Sequence, residues 1–564
     1  MRKLIECVPN FSEGRNLDVI KQITDEIESV DGIKLLDVDP GAATNRTVVT
    51  FVGEPEPVMQ AAIKGMKKAK ELIDMTKHTG AHPRFGATDV CPLVPVANIT
   101  MEETVEYARE LAERAGKELN YPIYCYESAA LSPERKNLAH VRSGEYEALK
   151  NKLQLDEWKP DFGPATFVPE SGATAISARN FLVAFNVNLN TTSTRRANAI
   201  AFDVRERGRV KRVGHPITGK PALDENGKKI MEPGALKSVK AIGWFIEEYG
   251  IAQISMNLTD ISICSVHKAY DAVFEKALAR GIRVTGSELV GVIPLEAMLE
   301  AGRYFLRKQN RSLGINNTEL IKIAVKSMGL DDLKPFDPRK NIIEYLLEDE
   351  NEQKLIDLNL TEFADETASE SPAPGGGSIS AYVGSLGISL GTMVANLSSH
   401  KPGVNWEDQY EKFSIEAEKG QKLKDQLLHL VDEDTNAFNK IMDAIRLPKG
   451  SAEEKEARLQ AIEDASKYAI EVPFTVMQKS LESMQVIKAM AEFGNPNSVS
   501  DAGVGALCAR TAVIGAFLNV KINCADLGDK EYVENMLAKA NALVDEANKL
   551  EAEILKTTIE KIES

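Results

Sequence analysis

Apolar and polar residues follow two different periods along this chain, and the change of period divides it into two parts. Over residues 1–328, short apolar runs typical of strands are interleaved with segments that have the period of an amphipathic helix. Beyond residue 341 only the helical period remains. The pattern therefore predicts an α/β part followed by an all-α part.

The order strand, helix, strand, strand, helix, strand occurs twice in the α/β part, which predicts two ferredoxin-like subdomains followed by an all-helical bundle. The prolines at 92 and 95 favour an edge position for the strand at 90–96. A polar segment at 214–234 is expected to be an exposed loop. The predicted boundaries are 1–180 and 181–328 for the subdomains, 329–340 for a linker and 341–564 for the bundle.

Individual elements follow from the same pattern. In the first subdomain we predict strands at 4–8, 33–38, 47–52, 90–96 and 122–126, and helices at 16–30, at 57–75 and from 100. In the second we predict strands at 181–189, 239–247, 251–258 and 282–285, and helices at 192–207 and 266–280. In the bundle we predict helices at 341–347, 379–399, 407–445, 452–491, 502–520 and 532–562.

Composition and charge narrow the range of partners. The 564 residues carry a formal net charge of −16, which argues against nucleic acid as the main partner. The six cysteines form no C-x-x-C pair and no apolar signal segment opens the chain, so we expect reduced thiols and a cytoplasmic location. The apolar stretches at 379–397 and 504–520 contain many small residues, and we interpret them as buried bundle helices rather than membrane spans.

Two histidines in "KHTGAHPRFGATD", His78 and His82, have a spacing that would suit a metal on a helix. Gly80 and Pro83 disfavour a helix there, so we expect a loop that presents one histidine. Imidazole titrates near neutrality and can both accept and donate a proton. The alternative is a loop histidine that bonds its own backbone.

Two further segments of the α/β part carry candidate binding residues. In "DVDPGAATNRT", the carboxylates of Asp37 and Asp39 could stabilise a cationic amidine-like group, with Arg46 close by, or the aspartates could cap their own turn. In "DFGPATFVPESGATAISARNF", Gly163 and Gly172 belong to a predicted loop where a flat ligand could approach the backbone.

One acidic residue stands inside an apolar seam of the helix at 407–445. The seam consists of Leu427, Val431, Asp434, Phe438, Ile441 and Ile445. A carboxylate that faces a core has a raised pKa unless it is paired, so Asp434 is a candidate general base. The alternative is that it caps a helix end or pairs with an arginine. Asp432 and Glu433 lie off the seam and are expected to be solvated.

Two glycine-rich segments precede helices of small residues: "SPAPGGGSISAY" at 371–382 and "EFGNPNSVSDAGVGALCAR" at 492–510. Bare amides at a helix start attract anionic groups. We therefore take Gly376, Ser378 and Asp501 as candidate substrate contacts that could line one pocket with Asp434. The alternative is close helix packing through small residues.

Long motifs in both parts resemble known families. "LIECVPNFSEGRN", "HTGAHPRFGATDVCPLVPV" and "FGPATFVPESGATAISARNFLVAFNVNL" are similar to glutamate formimidoyltransferase. "SPAPGGGSISAYVGSLGISLGTMV", "VDEDTNAFNKIMDAIRLPK" and "NPNSVSDAGVGALCARTA" are similar to formimidoyltetrahydrofolate cyclodeaminase. Nearly the whole chain thus resembles the bifunctional formimidoyltransferase-cyclodeaminases of histidine breakdown.

The resemblance implies two linked reactions. The formimino group of N-formimino-L-glutamate passes to tetrahydrofolate, and the product then cyclises to 5,10-methenyltetrahydrofolate with loss of ammonia. It implies that His82 and Asp434 are catalytic, with Asp432 still possible because "VDED" offers two choices. Asp39 would hold the amidine and Arg46 a substrate carboxylate. The implied folate-binding segment contains Gly163, Pro164, Gly172, Ala173 and Thr174.

The same resemblance implies further properties and leaves alternatives. Folate is a co-substrate and is expected as its polyglutamate. No metal is required, and the family forms ring-like homo-oligomers. One alternative is a transferase whose helical part serves only assembly. Another is a folate-binding scaffold without catalysis, and a third is a transferase that moves formyl instead of formimino groups.

Overall fold

The structure, a computed structural model, describes residues 3–42, 44–80, 83–214, 219–347, 354–399, 406–525 and 527–564. The chain forms two compact units. The α/β unit comprises Met1–Ala301 and Ala324–Glu348, and the helical unit comprises Gly302–Ile323 and Asp349–Ser564. A sheet-containing N-terminal region followed by a helical C-terminal region is the fold class expected from the pattern.

The strands, in chain order, are β1 (Leu4–Cys7), β2 (Asn10–Phe11), β3 (Lys34–Gly41), β4 (Arg46–Gly53), β5 (Thr88–Ala97), β6 (Ile123–Glu127), β7 (Thr174–Ala178), β8 (Val183–Leu189), β9 (Arg209–Val210), β10 (Arg212–Val213), β11 (Lys220–Pro221), β12 (Met231–Glu232), β13 (Val239–Ile246), β14 (Ile251–Leu258) and β15 (Val284–Val290).

The helices of the α/β region are α1 (Leu17–Glu28), α2 (Pro55–Leu72), α3 (Met101–Leu119), α4 (Leu138–Val141), α5 (Glu145–Lys152), α6 (Thr194–Val204), α7 (Val266–Leu278), α8 (Leu295–Lys308), α9 (Asn317–Met328), α10 (Pro338–Asn341) and α11 (Ile343–Leu347). The later helices are α12 (Leu360–Thr367), α13 (Gly376–Ser398), α14 (Trp406–Arg446), α15 (Ala452–Phe493), α16 (Val499–Cys524) and α17 (Lys530–Glu563).

Seven strands, β1 to β7, form the first sheet. The edge position predicted for residues 90–96 is wrong, because β5 pairs antiparallel with β1 and β2 and parallel with β7. Pro92 lacks an N–H, yet its carbonyl oxygen accepts the amide of Val8 at 3.1 Å, so the strand still contributes an acceptor. The helix predicted from residue 100 begins as expected, since Thr100 and Glu103 form a capping box.

Four strands form the second sheet in the order β13, β14, β8, β15, with antiparallel neighbours. Most of the described residues in the polar segment at 214–234 are exposed, as predicted, and residues 219, 222, 231 and 234 are half-buried. It is not a plain loop, because short antiparallel ribbons join β10 to β11 and β9 to β12. Residues 215–218 of this segment lie outside the described residues.

Small residues allow the helices of the helical unit to approach closely. Gly387 on α13 lies against Gly505 on α16, where a Cβ on either glycine would stand 2.9 Å from the other's carbonyl oxygen. Among the described residues, two segments, Gly376–Ser398 and Pro496–Cys524, are long and apolar enough to cross a membrane; 61% and 44% of their most apolar windows are buried inside the protein. The burial of α13 against its neighbours accounts for its apolar character.

Candidate active sites

The cross-strand register gives the first sheet a polar face. Residues directly opposite in an antiparallel pair share a face, and Val49 and Phe51 of β4 point into the helix-covered core. Asp37 lies opposite Thr50, Asp39 opposite Val48 and Gly41 opposite Arg46, so both aspartates and Arg46 occupy the other face. We call this the polar face of the first sheet.

Arg46 stands within a compact group of charges on this face. Its guanidinium donates a hydrogen bond to Oδ1 of Asn10. The carboxylate of Asp89, which is fully buried, accepts Nη2 of Arg142 at 2.7 Å and the amide of Phe85 at 3.1 Å. Burial raises the pKa of Asp89, opposed by Arg142 and Arg46.

Burial also lowers the pKa of Arg46 to about 10, against the attraction of Asp89, so Arg46 remains a cation near neutral pH. Two guanidinium groups, those of Arg46 and Arg142, face the one carboxylate of Asp89. Guanidinium groups are therefore concentrated at this point of the polar face.

The two aspartates of this face belong to β3 rather than to a turn. The alternative prediction, that these aspartates cap their own turn, is therefore wrong. Asp39 is exposed, while Asp37 is half-buried. Burial raises the pKa of Asp37, and the neighbouring charge of Asp39 raises it further. A cation placed between the two carboxylates would relieve this repulsion.

His82 and Ala81 lie outside the described residues, so its predicted role stays a prediction. The loop around it is held from both sides. Nδ1 of His78 accepts Nε of Arg84 at 3.2 Å, and Nε2 of His78 lies 2.8 Å from the carbonyl oxygen of Asn45. The Asn45 side chain in turn donates to the carbonyl oxygen of Thr79 at 3.0 Å.

These contacts define the state of His78. Both ring nitrogens of His78 thus have a partner within the protein. His78 is thus a loop histidine that bonds backbone. Among the residues that the structure describes, no group of three or more His, Cys, Asp or Glu side chains could hold a metal ion.

The predicted folate-binding segment is only partly a loop. Thr174 begins β7, a fully buried strand between β5 and β6, so the loop prediction is wrong from Thr174 to Ala178. The Thr174 hydroxyl bonds the carbonyl oxygen of Thr88 and lies 2.9 Å from the Tyr121 hydroxyl. Both of these partners are structural.

The two glycines of this segment have positive φ, and the chain's own backbone fills the space beside each. A Cβ on Gly163 would stand 2.3 Å from the carbonyl oxygen of Tyr121, and one on Gly172 would stand 2.2 Å from that of Phe85. Ala173 is buried and Pro164 half-buried. Contacts of these residues with folate stay a prediction.

In the helical unit, Asp434 lies against the start of α13. Its Oδ2 accepts the backbone N–H of Ser378 at 2.9 Å and lies 3.1 Å from the Ser378 hydroxyl, which is also 2.9 Å from the carbonyl oxygen of Val431. Burial raises the pKa of Asp434, opposed by the hydrogen bonds from Ser378. Asp434 therefore caps a helix and is also a half-buried carboxylate with raised proton affinity.

Gly377 leaves the room that Asp434 needs. A Cβ on Gly377 would stand 2.1 Å from Oδ1 of Asp434, closer than real atoms approach. The neighbouring Gly376 is exposed, and a Cβ there would lie 3.2 Å from Nδ2 of Asn519.

We expect Gly377→Ala to displace the carboxylate of Asp434 and to slow the reaction of the helical half about a hundredfold, because a misplacement of about 1 Å costs that much. Alanine favours the helical state over glycine by about 1 kcal/mol. Helix propensity therefore gives no reason for the melting temperature of this variant to fall. The measurement is ammonia release from supplied formimidoyltetrahydrofolate, the reaction that the sequence resemblance implies for this half. Gly375→Ala is the matched control, since its nearest neighbour would be 3.9 Å away. Equal rates in both variants would contradict the expectation.

The neighbours of Asp434 are not simply solvated, contrary to the sequence prediction. Oδ1 of Asp432 accepts the amide of Leu355 at 2.6 Å, and burial raises its pKa. Glu433 accepts the hydroxyl of Tyr468 and lies 3.3 Å from Nζ of Lys440. The seam is also shorter than predicted, because Phe438 is 45% and Ile445 43% exposed.

The expectation that both glycine-rich helix starts line one pocket is wrong within a single chain. Helices α13 and α16 run antiparallel, since Gly376 lies beside Asn519 while Gly387 lies beside Gly505. Asp501, in the first turn of α16, is 18 residues from Asn519. At a rise of about 1.5 Å per residue it is roughly 27 Å away along the helix. Its role as a substrate contact stays a prediction.

Sequence reasoning missed several polar residues of the α/β unit. Asp89 could have been noticed as the one charge in a buried strand, whereas nothing local connects it to Arg142. Glu6 is a further buried carboxyl of the first sheet, with a pKa that burial raises to about 7 against the effect of Arg179. In β8, the amides of Asn186 and Asn188 alternate with apolar residues in "FNVN", a local signal for a polar face of the second sheet.

Three family models match nearly the whole chain. "Formiminotransferase domain, N-terminal subdomain" matches residues 4–179, "Formiminotransferase domain" matches 184–348 and "Formiminotransferase-cyclodeaminase" matches 359–542. The chain thus joins a formiminotransferase region to a cyclodeaminase region.

Relatives agree with this division. The formimidoyltransferase-cyclodeaminase of Gallus gallus is 42% identical over 556 residues, covering 98% of each chain. The methenyltetrahydrofolate cyclohydrolase of Methylorubrum extorquens is 36% identical over 201 residues, 36% of this chain and 95% of that protein. A crystal structure of formiminotetrahydrofolate cyclodeaminase from Thermotoga maritima, 28% identical, covers 36% of this chain and 98% of its own at a TM-score of 0.33. The chain belongs to the formimidoyltransferase-cyclodeaminase family.

Proposed function

We propose that this protein transfers the formimino group of N-formimino-L-glutamate to tetrahydrofolate and then cyclises the product to 5,10-methenyltetrahydrofolate, releasing glutamate and then ammonia, as a step of histidine degradation. The observation that carries the proposal is similarity to a bifunctional relative over 98% of both chains. Both halves are thus represented, and the two positions that the resemblance implies to be catalytic hold His82 and Asp434.

In the transfer step, N5 of tetrahydrofolate attacks the formimino carbon and the bond from that carbon to the glutamate nitrogen breaks. N5 loses a proton and the glutamate nitrogen gains one, so a single acid–base side chain can move the proton from one nitrogen to the other. His82 does this, because imidazole both accepts and donates near neutral pH. Asp39 steadies the cationic amidine, and Arg46 holds a substrate carboxylate. The second guanidinium nearby, that of Arg142, supports the assignment of this part of the face to an anionic group.

In the second step, N10 of the folate attacks the same carbon and the bond to the terminal nitrogen breaks. Asp434 takes the proton from N10 and returns it to the departing ammonia. A half-buried carboxylate with a raised pKa suits both roles. Ser378 holds it in place through the amide at 2.9 Å. Folate is the co-substrate of both steps, bound as its polyglutamate, and neither step uses a metal.

We also propose the finer architecture of the chain. Two ferredoxin-like subdomains, 1–180 and 181–328, precede a linker at 329–340 and a bundle at 341–564. The strand order supports this: β3, β4, β1, β5 in the first sheet matches β13, β14, β8, β15 in the second. The protein works in the cytoplasm as a ring-like homo-oligomer.

The methenyltetrahydrofolate cyclohydrolase relative favours a second candidate for the helical half. In that case the half adds water to the methenyl carbon and opens the ring to a formyl group. The reaction differs from cyclodeamination in that water enters and no ammonia leaves.

One experiment separates these functions. The purified protein receives N-formimino-L-glutamate and tetrahydrofolate, and glutamate, ammonia and the absorbance of methenyltetrahydrofolate are followed together. We expect the three products to appear in equal amounts. Glutamate without ammonia, together with a catalysed loss of absorbance from supplied methenyltetrahydrofolate, would favour the hydrolase. Glutamate without ammonia and with no such loss would favour a helical half that serves only assembly. A protein that binds folate but forms no product would be a scaffold, contrary to the proposal.

A further inference from the structure

The second sheet also has a polar face, formed by Asn186, Asn188, Gln253 and Glu288, which we call the amide face. Gln253 lies opposite Asn188, and Glu288 lies opposite Asn186, so all four side chains share one face. The other face is covered by α6, where Gly243 is so close that a Cβ would stand 2.3 Å from the amide of Asn198.

Hydrogen bonds fix the amide face in one arrangement. Nε2 of Gln253 donates to Oδ1 of Asn188 at 2.8 Å and to Oε2 of Glu288 at 3.3 Å, while its Oε1 accepts Nε1 of Trp244 at 3.2 Å. Every polar atom of Gln253 is therefore used, and its amide has one orientation. Nδ2 of Asn186 lies 3.4 Å from Oε2 of Glu288.

Glu288 is held less tightly than its surroundings. Its Oε1 has the Tyr249 hydroxyl and Nζ of Lys334 as neighbours, each at 3.4 Å. These four contacts of Glu288 thus span 3.3–3.4 Å, longer than the usual distance of about 2.9 Å. The residue is only 9% exposed. A buried carboxylate that is positioned but loosely bonded can accept shorter hydrogen bonds from a ligand.

The amide face adjoins the predicted amidine site of the first sheet. Lys334, which pairs with Glu288, is also an electrostatic neighbour of Asp37. Asp37 itself reaches the end of β15, since a Cβ on Gly291 would lie 3.8 Å from its Oδ2. Beside the polar groups, Ile242 and Trp244 leave partly exposed apolar surface on the same face.

We propose that the amide face binds the pteridine ring of the folate substrate, with the Glu288 carboxylate accepting hydrogen bonds from its N3–H and 2-amino groups. A planar ring with two parallel N–H donors matches a carboxylate that has two acceptor oxygens. Trp244 and Ile242 offer an apolar surface to the ring. This proposal rests on the proposed function, and it names the surface that recognises the folate co-substrate. The amidine of the formimino group also presents two N–H groups to a carboxylate. The test therefore distinguishes binding of the pteridine ring from binding of the amidine.

The first test is folate binding by Glu288→Gln without turnover, measured by equilibrium dialysis on the full chain. We expect at least about tenfold weaker binding, since hydrogen bonds to a charged group are worth that factor or more. Glu247→Gln is the matched control, because Glu247 is exposed in the turn between β13 and β14, and it should bind as the wild type. Melting temperatures establish that each variant is folded.

A ligand change checks the contact itself. The wild type should bind 2-desamino-folate less tightly than folate, and this difference should shrink in Glu288→Gln, because each change removes the same hydrogen bonds. Glu288→Asp keeps the carboxylate but places it one methylene farther from the ligand. This variant should have an affinity for folate between those of the wild type and Glu288→Gln. It also serves as the second variant if the glutamine variant fails to fold.

Several results would overturn the proposal. One is a folded Glu288→Gln variant that binds folate with wild-type affinity. Another is that the losses of binding free energy caused by the substitution and by removal of the 2-amino group are additive. A changed KM for N-formimino-L-glutamate with unchanged folate binding would mean that Glu288 serves the amidine instead. Glutamate release by the wild type is measured separately, so a failure of the proposed function is distinguishable from a failure of this inference.

Discussion

Asp434→Asn is expected to slow ammonia release from supplied formimidoyltetrahydrofolate by about a hundredfold to ten-thousandfold, the usual effect of removing a general acid or base. Asparagine keeps an oxygen that can accept the amide of Ser378, so α13 retains its cap while the proton acceptor is lost. Glutamate release in the α/β half should be unchanged. Ammonia assays and methenyl absorbance, with the intermediate supplied directly, measure the second step alone.

The pH dependence gives this prediction a sign. Asp434 must be ionised to take the N10 proton, and burial raises its pKa above the ordinary range for aspartate. Ammonia release by the wild type should therefore rise with pH over a range higher than the one in which an exposed aspartate ionises. This rise should be absent in Asp434→Asn.

Asp432→Asn is the control, because the same chemical change is made two residues away. Its side chain holds the amide of Leu355, and asparagine can still accept that hydrogen bond. We expect nearly normal ammonia release. If Asp432→Asn released no ammonia while Asp434→Asn remained active, the catalytic carboxylate would be Asp432 and not Asp434.

Much of the fold follows from local signals. The period of apolar residues predicts α14, α15 and α17 because long helices repeat their pattern many times. The start of α3 is predicted because a capping box lies within four adjacent residues, Thr100 to Glu103. Strand β7 escapes such reasoning. "TAISA" is short, fully buried and preceded by Gly-rich sequence, so it has the composition of a loop.

The site depends on contacts that no local pattern contains. Asp89 and Arg142 are 53 positions apart, and only the folded sheet brings them together beside Arg46. Local signals also misled at Asp501. A helix start is visible in sequence, but the antiparallel course of α13 and α16 that separates it from Gly376 is not. Asp434 was found because its own helix carries both the apolar seam and the carboxylate.

His82→Ala is expected to reduce glutamate release from N-formimino-L-glutamate by about a hundredfold or more, because the proton of N5 then has no carrier to the leaving nitrogen. Ammonia release from supplied formimidoyltetrahydrofolate should stay at the wild-type rate. The two rates are measured separately on the same preparation, so the helical half reports that the chain is intact.

Added imidazole distinguishes proton transfer from a structural role of His82. A general acid–base that has been cut back to alanine can be replaced in part by free imidazole, and the restored rate should follow the concentration of its neutral form. His140→Ala, which removes an exposed imidazole elsewhere in the α/β unit, should leave transfer unchanged. Normal glutamate release by His82→Ala would refute the assignment. A loss that imidazole never restores, together with a lowered melting temperature, would make His82 a residue that shapes the loop anchored by His78 and Arg84.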